Sequence, residues 1–445
     1  MDLQEKIAQN KATICVIGLG YVGLPHAAAF AQAGFTVMGL DVSARRVEAV
    51  NRGHSDIPDV PSEMLARLVA EGRLQATSDY DCIDQADVVL ICVPTPFDDM
   101  KTPDLAFILS AAEGIAPHLH AGQMIILQST TYPGTTEEVV QPILERGGLR
   151  AGQDFHLVFS PERIDPGNAT YSAHNIPKVV GGLTAQCTAL ACQLFGHLTS
   201  DIHPVSTPRA AEMTKLLENI FRSVNIALVN ELALLMERMN IDIWEVIAAA
   251  KTKPFGFMAF TPGPGVGGHC IPVDPYYLSW KAREFDFYTK FIELAAEVNA
   301  DMPDHVVRLV GAGLNQHSKA LRGARVLVLG VAFKRDIDDA RNSPAQRVIE
   351  LLLDSGAEVE YHDPYVSNFV VGGSALHRAR ITLRGQPLAA SLAHADAVVI
   401  VTGHSDINYT EVVASCPVVI DAVNVTRGLP GSEQVIRLGA PLPAA

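Results

Sequence analysis

Short apolar runs alternate with helical stretches at both ends of the chain, and a long unpunctuated helical pattern lies between them. The first run, Thr13-Ile-Cys-Val-Ile-Gly-Leu-Gly20, is rich in β-branched residues and ends in glycines. Leu24 to Ala33 then reads as a helix of small residues stopped at Gly34, and Phe35 to Asp41 as a second strand closing on an acid. Apolar runs over 87–96, 124–134, 155–163 and 201–206 predict further strands. Their alternation with helical segments makes the sheet largely parallel. In such sheets ligands sit beyond the carboxyl ends of the strands.

From Ala210 to Met239 neither Pro nor Gly occurs, which predicts about 45 Å of continuous helix. Most of its circumference is apolar, so it is expected to be buried between domains or subunits. Lys215, Asn219 and Arg222 fall at i, i+4 and i+7 on one face, which reads either as a solvated stripe or as a polar face turned into a cleft.

The last third repeats the opening pattern. Strands are expected over 323–330, 357–364, 395–404 and 417–424, and Ser343 and Pro344 are suited to be N-cap and first residue of a helix. The fold expected is α/β: two Rossmann-like, doubly wound domains joined by a long central helix and a helical dimerisation region. The boundaries expected are 1–206, 207–316 and 317–445.

A length of 445 residues agrees with more than one core. The net charge of -15 argues against a nucleic-acid ligand, because phosphate backbones need basic surface. Seven cysteines, with no CxxC pair and no metal-ligand spacing, read as reduced thiols of a cytoplasmic protein without a metal. The N-terminus Met-Asp-Leu-Gln-Glu-Lys has no signal-peptide pattern, and no membrane association is expected.

Strand, glycine turn, helix, strand and acid together make a dinucleotide fingerprint. In Gly18-Leu-Gly20-Tyr21-Val22-Gly23 the glycines permit a tight turn and close approach of backbone to pyrophosphate at a helix N-terminus. Asp41 stands where a carboxylate would hold the adenosine ribose, which favours NAD over NADP, and Arg46 is suited either to flank the adenosine or to begin a solvated helix. Thr95, Thr131 and Glu162 lie just past strand ends, on the expected nicotinamide side. Near Thr131, Thr135 and Glu138 form a capping-box pattern for the next helix. The second Rossmann-like domain lacks such glycines and carries Lys334, Arg335 and Arg341 in its first turn, cations suited to an anionic group other than a second NAD.

One further stretch stands out: Pro-Gly-Pro-Gly-Val-Gly-Gly-His-Cys-Ile-Pro-Val-Asp-Pro, residues 262–275. Its glycines would let backbone approach a ligand, and its prolines would stiffen a loop. Cys270 reads either as a small buried hydrophobe or as a nucleophile. His269, its neighbour, would point away from it on an extended chain.

Together GLGYVGLP, VPTP, STTYPGTTE, FSPER, EMTKLLENIFRSVNIALVNE, PGPGVGGHCIPVDP and FKRDIDDARNSP resemble the UDP-sugar 6-dehydrogenases of the UDP-glucose/UDP-mannuronate dehydrogenase family, over nearly the whole chain. The resemblance implies two successive NAD-dependent oxidations at C6 of a UDP-sugar, and the apolar long helix is expected to contribute to the interface of a homodimer. A hydride leaves an alcohol carbon directly, whereas an aldehyde must first gain a nucleophile, the role of Cys270. Lys215 and Asn219 would stabilise oxyanions at C6. Glu162, with Thr131 placing the water, would serve as base in thioester hydrolysis. Asp274 would support the cysteine or cap the helix that follows. Arg222, the Gly267 backbone, Lys334 and Arg341 would bind the substrate.

Where UDP-glucose dehydrogenases carry a second acid four positions after the motif glutamate, this chain has Pro166. SPERIDPGN instead resembles the branch acting on UDP-N-acetylhexosamines, UDP-GlcNAc in particular, with Arg163 and Ile164 touching substrate. Two other classes share parts of the pattern: hydroxy-acid dehydrogenases, which need no cysteine, and a non-catalytic nucleotide-sugar sensor.

Overall fold

A computed structural model describes residues 1–97, 102–163, 176–373 and 377–443. The chain divides into two compact units: Met1–Glu218 with Tyr276–Phe287, and Asn219–Pro275 with Tyr288–Ala445.

The first unit is built on eight strands: β1 (Thr13–Ile17), β2 (Thr36–Leu40), β3 (Leu74–Thr77), β4 (Val88–Ile91), β5 (Met124–Leu127), β6 (His156–Phe159), β7 (Lys178–Gly182) and β8 (Ile202–Val205). Their order is β3-β2-β1-β4-β5-β6-β7-β8. All neighbours are parallel except β6 and β7. Alternate residues feed separate cores on the two faces: Ile14, Val16 and Leu90 on one, Cys15, Ile17 and Val89 on the other. Burial on both faces is why these strands read as unbroken apolar runs. The strands end earlier than the runs do. β4 stops at Ile91, ahead of Pro94 and Pro96, which have no N–H to give a ladder.

The second unit carries β9 (Arg325–Leu329), β10 (Glu358–His362), β11 (Asn368–Val371), β12 (Ile381–Arg384), β13 (Ala397–Ile400), β14 (Val419–Asp421) and β15 (Ile436–Arg437). Five of these form a parallel sheet in the order β10-β9-β13-β14-β15, and β11 and β12 form an antiparallel pair. The helix Lys290–Gln316 covers one face with Val306, Val310 and Leu314, packed in one core with Val326, Val328 and Ile420. The helix Pro344–Asp354 starts as its sequence predicts, with Ser343 as N-cap accepting from the Ala345 N–H.

The long helix runs from Pro208 to Arg238, and the boundary between the units falls inside it. The capping box expected from Thr135 and Glu138 does not form. The Thr135 hydroxyl donates to the Tyr132 carbonyl, and Glu138 pairs with Arg209 and Lys281. The helical segment starting at Thr136 is capped from a distance: Glu212, buried on the long helix, accepts the N–H groups of Gly134 (2.6 Å) and Thr136 (2.9 Å). A local pattern lost to a tertiary carboxylate that satisfies two orphan donors at once.

Candidate active site

The first unit presents a dinucleotide cradle at the carboxyl end of β1. Gly18 adopts φ +89°, and a Cβ there would lie 2.6 Å from the Cys92 carbonyl oxygen. A Cβ at Gly23 would lie 1.8 Å from the Gly18 oxygen, so turn and helix touch. Gly20 differs, for a Cβ there would meet nothing within 4 Å. The helix Gly23–Gln32 that follows has no side-chain cap at Val22, so its first N–H groups remain for an anion. Tyr21 is exposed beside them. These features fit the pyrophosphate of NAD. Asp41 closes the cradle: its carboxylate accepts the Leu19 N–H (2.8 Å) and the Ser43 N–H (2.9 Å). Arg46 lies in the first turn of the next helix and pairs with Asp56 at 2.9 Å.

Three residues expected on the nicotinamide side lie on loops leaving the carboxyl ends of β4, β5 and β6. Thr95 is half-buried, and its carbonyl accepts from the Tyr277 hydroxyl. Thr131 is buried, and its hydroxyl oxygen has no hydrogen-bond partner among the described residues. That orphan suits a group reserved for a bound molecule.

Glu162 belongs to a buried network that the sequence does not announce. Val158 pairs with Gly182 and Phe159 with Gly181 in the antiparallel register of β6 and β7. Extending that register by three residues sets Glu162 opposite Lys178. The Lys178 ammonium donates to Glu162 Oε2 at 2.9 Å, and His26 Nε2 lies 2.9 Å from the same oxygen. Burial works against the charge on Glu162, but Lys178 and His26 outweigh it and hold the carboxyl well below the usual carboxylate range.

The protons of this network follow from its ends. Burial pushes the Cys92 thiol far up, so it stays protonated and donates to Gln128 Oε1 at 3.2 Å. That turns the Gln128 amide nitrogen toward His26 Nε2, at 3.3 Å. On its other side, His26 Nδ1 lies 2.9 Å from the Val22 carbonyl, which only accepts and so calls for a proton on Nδ1.

Arg163 uses its guanidinium on its own unit, reaching both carboxylate oxygens of Glu218 (2.6 and 3.3 Å) and the Pro177 carbonyl (2.7 Å). Ile164 lies outside the described residues. Lys215 is buried, and among the described residues its ammonium has no hydrogen-bond or ion-pair partner.

In the second unit, Asn219 is buried on the long helix and donates to Asp274 Oδ2 at 2.5 Å, while Arg222 is exposed. The Cys270 carbonyl accepts the Asp274 N–H at 2.8 Å, so the cysteine sits one turn ahead of the helix Asp274–Ala282. The glycines before it have a different reason from the one expected. A Cβ at Gly267 would lie 2.8 Å from Phe333, 2.9 Å from Pro344 and 3.0 Å from the Asn342 oxygen. Gly268, at φ +91°, would press on the Phe333 ring, and its N–H donates to the Arg341 carbonyl at 3.1 Å. Asn342 Nδ2 returns a bond to the Gly268 carbonyl at 2.9 Å. These two glycines therefore clamp the cysteine loop onto the turn that carries Lys334 and Arg341.

Lys334 is half-buried in that turn. Arg341 is exposed and held by Asp339 through Nη2 at 2.5 Å and Nε at 2.9 Å. At the end of β10, Asp363 Oδ2 accepts the N–H groups of Val331 (2.7 Å) and Ala332 (3.0 Å) and lies 3.0 Å from His404 Nε2. It is the counterpart of Asp41: each carboxylate, at the end of the second strand of its sheet, accepts backbone N–H groups of the first turn, one at Asp41 and two at Asp363.

Comparison with known proteins matches three successive models of the UDP-glucose/GDP-mannose dehydrogenase family: the NAD binding domain over residues 12–199, the central domain over 209–301 and the UDP binding domain over 327–428. UDP-N-acetyl-D-glucosamine 6-dehydrogenase of Pseudomonas aeruginosa is 37% identical over 88% of this chain and 90% of its own length. UDP-N-acetyl-D-mannosamine dehydrogenase of Yersinia pestis is 40% identical over 77% of this chain and 83% of its own. Among solved structures, UDP-D-ManNAc dehydrogenase from Pyrococcus horikoshii superposes with a TM-score of 0.86 at 33% identity, covering 96% of this chain and 99% of that one.

Proposed function

Because the chain belongs to the UDP-glucose/GDP-mannose dehydrogenase family and is an NAD-dependent nucleotide-sugar 6-dehydrogenase, we propose that it oxidises C6 of a UDP-N-acetylhexosamine twice, through a thioester on Cys270. NAD, when bound, accepts the hydride of each oxidation. Cys270 adds to the aldehyde as a thiolate, and the resulting thiohemiacetal is the alcohol from which the second hydride leaves. Lys215 and Asn219 offer preorganised donors to the oxyanions that develop at C6. Asp274 fixes the Asn219 amide. Glu162 takes a proton from the water that hydrolyses the thioester, and Thr131 offers that water a hydroxyl. Lys334 and Arg341 receive the UDP anion. In these roles residues 1–206 carry the cofactor, 207–316 the cysteine loop and 317–445 the UDP.

The observation that carries this reading is the clamped loop: Gly267 and Gly268 bind Cys270 to the turn bearing Lys334 and Arg341, an economy suited to presenting one thiol to a ligand held by those cations. For the sugar, the resemblance of SPERIDPGN to the UDP-GlcNAc branch supports UDP-GlcNAc. UDP-ManNAc is the second reading, supported by the Yersinia pestis relative. Because Arg163 is engaged by Glu218, its part would be to shape the pocket rather than to bind the acetamide directly. Incubation with NAD and UDP-GlcNAc, UDP-ManNAc and UDP-glucose in turn tests the reading. A kcat/KM highest for UDP-glucose would overturn the N-acetylhexosamine assignment.

The enzyme is further proposed to work as a cytoplasmic homodimer. Phe221, Leu228 and Leu235 form an exposed apolar stripe along one side of the long helix, Met239 is exposed just past its end, and Phe291 and Leu294 are exposed on Lys290–Gln316. Apolar faces this continuous are typical of surfaces that a second copy covers. Light scattering giving a monomer mass at micromolar concentration would overturn it.

A further inference from the structure

We propose that Cys15 and Cys82 are a site of oxidation by peroxides, closing to a reversible disulfide that weakens NAD binding. Both lie in the first unit, 67 positions apart in sequence, with their sulfurs 3.9 Å apart. Cys15 is fully buried on β1, whereas Cys82 is half-buried on the 3-10 segment Tyr80–Gln85, next to the exposed Asp81. Cys15 is the donor of the pair: its bond to Cys82, and then burial, hold its thiol well above the usual value. The same bond lowers the Cys82 thiol, against burial and the carboxylates of Asp79 and Asp81. The accessible member is thus the one that reaches the thiolate, the form that attacks a peroxide. The enclosed member stands behind it as the resolving thiol.

The chemistry balances with one hydrogen peroxide as oxidant. The Cys82 thiolate bonds one peroxide oxygen, the O–O bond breaks, and hydroxide leaves with the proton that the thiol gave up, as water. The sulfenic acid so formed is attacked by the Cys15 sulfur. The S–O bond breaks, the Cys15 proton leaves with that oxygen as a second water, and two thiols have become one disulfide.

A disulfide holds its sulfurs about 2 Å apart, so the pair must close up. β1 is laddered on both sides, with Cys15 opposite Met38 of β2 and Val89 of β4, and the movement falls on the short segment that carries Cys82. That segment is tied back to β3. Asp79 Oδ1 accepts the Asp81 N–H at 3.1 Å, the Asp79 N–H donates to Thr77 Oγ1 at 3.0 Å, and the Thr77 carbonyl accepts the Asp41 N–H at 3.1 Å. Asp41 closes the dinucleotide cradle, and β1 reaches Gly18 three residues after Cys15. Both ends of the disulfide therefore draw on the backbone that shapes the adenosine side of the cradle.

The test exposes the reduced, full-length protein to hydrogen peroxide. Peptide mapping should show Cys15 linked to Cys82, with the link removed by dithiothreitol. Calorimetric titration should show NAD affinity lowered about fivefold or more, the lower end of coupling between linked sites. Cys82→Ser, treated in the same way, should keep its NAD affinity. Cys82 remaining a thiol, or passing to sulfinic acid without a link to Cys15, would overturn the proposal. So would a link that leaves NAD affinity unchanged, or an equal loss of affinity in Cys82→Ser. Should that variant fold poorly, mapping and titration of the wild-type chain before and after dithiothreitol decide the matter alone.

Discussion

The carboxylate of Glu212 accepts both the N–H of Thr136, at 2.9 Å, and its hydroxyl, at 2.6 Å. With the Gly134 N–H on its other oxygen, one buried side chain starts a helical segment more than seventy residues away in sequence. Glu212→Ala would orphan these donors and should destabilise the first unit by about 2–4 kcal/mol. Glu212→Gln keeps one acceptor oxygen and should lose less. Urea unfolding that ranked the two variants equally would contradict the capping role.

Asp363 should make the second unit acid-sensitive. Burial opposes its charge, but His404 and the N–H groups of Tyr365, Val331 and Ala332 lower its carboxyl from 3.8 to about 2. A depressed carboxyl stabilises fully above its unfolded value of 3.8 and loses that contribution as pH falls through about 2. The shift amounts to about 2 kcal/mol. The stability gap between wild type and Asp363→Asn should therefore narrow by that amount across this window, and urea midpoints followed against pH would reveal it. A gap independent of pH would contradict the assignment.

Two NADH should form for each UDP-sugar consumed, with a uronic acid as product. Cys270→Ser should bind both ligands but lose acid formation by several orders of magnitude, because an alkoxide is hard to generate near neutral pH. One NADH per sugar with free aldehyde, or near-normal acid formation by the variant, would remove the covalent step.

Lys334→Ala and Arg341→Ala should each weaken UDP-sugar binding roughly 10- to 100-fold, the loss of one charge-assisted contact. NAD binding should be unaffected, since its cradle lies in the first unit. Calorimetric titration with each ligand checks both halves, and equal loss for the two would assign these cations to the fold instead.

The cradle was legible because its parts are consecutive: the run from Thr13 to Asp41 contains turn, helix and acid in order. Ser343 and Pro344 were legible for the same reason. The Glu162 network was not. His26 sits in a helix of small residues where a histidine reads as ordinary core, and Lys178 begins a five-residue strand ending in two glycines that gives little β signal. Lys178 meets Glu162 only through the antiparallel pairing of β6 and β7, which alternation of strands and helices does not foretell. Gly267 and Gly268 were legible as special but not in purpose, since Phe333 and Asn342, which exclude a Cβ there, are more than sixty residues away.

The reversal of direction between β6 and β7 makes a buried charge pair conditional on strand register. Backbone ladder bonds set Lys178 across from Glu162. Because side chains alternate between the two faces of a strand, a slip of one residue in this register would turn the Lys178 ammonium to the opposite face of the sheet, away from the Glu162 carboxylate. The two charges are thus matched by the pleat of the sheet and part together if it shifts.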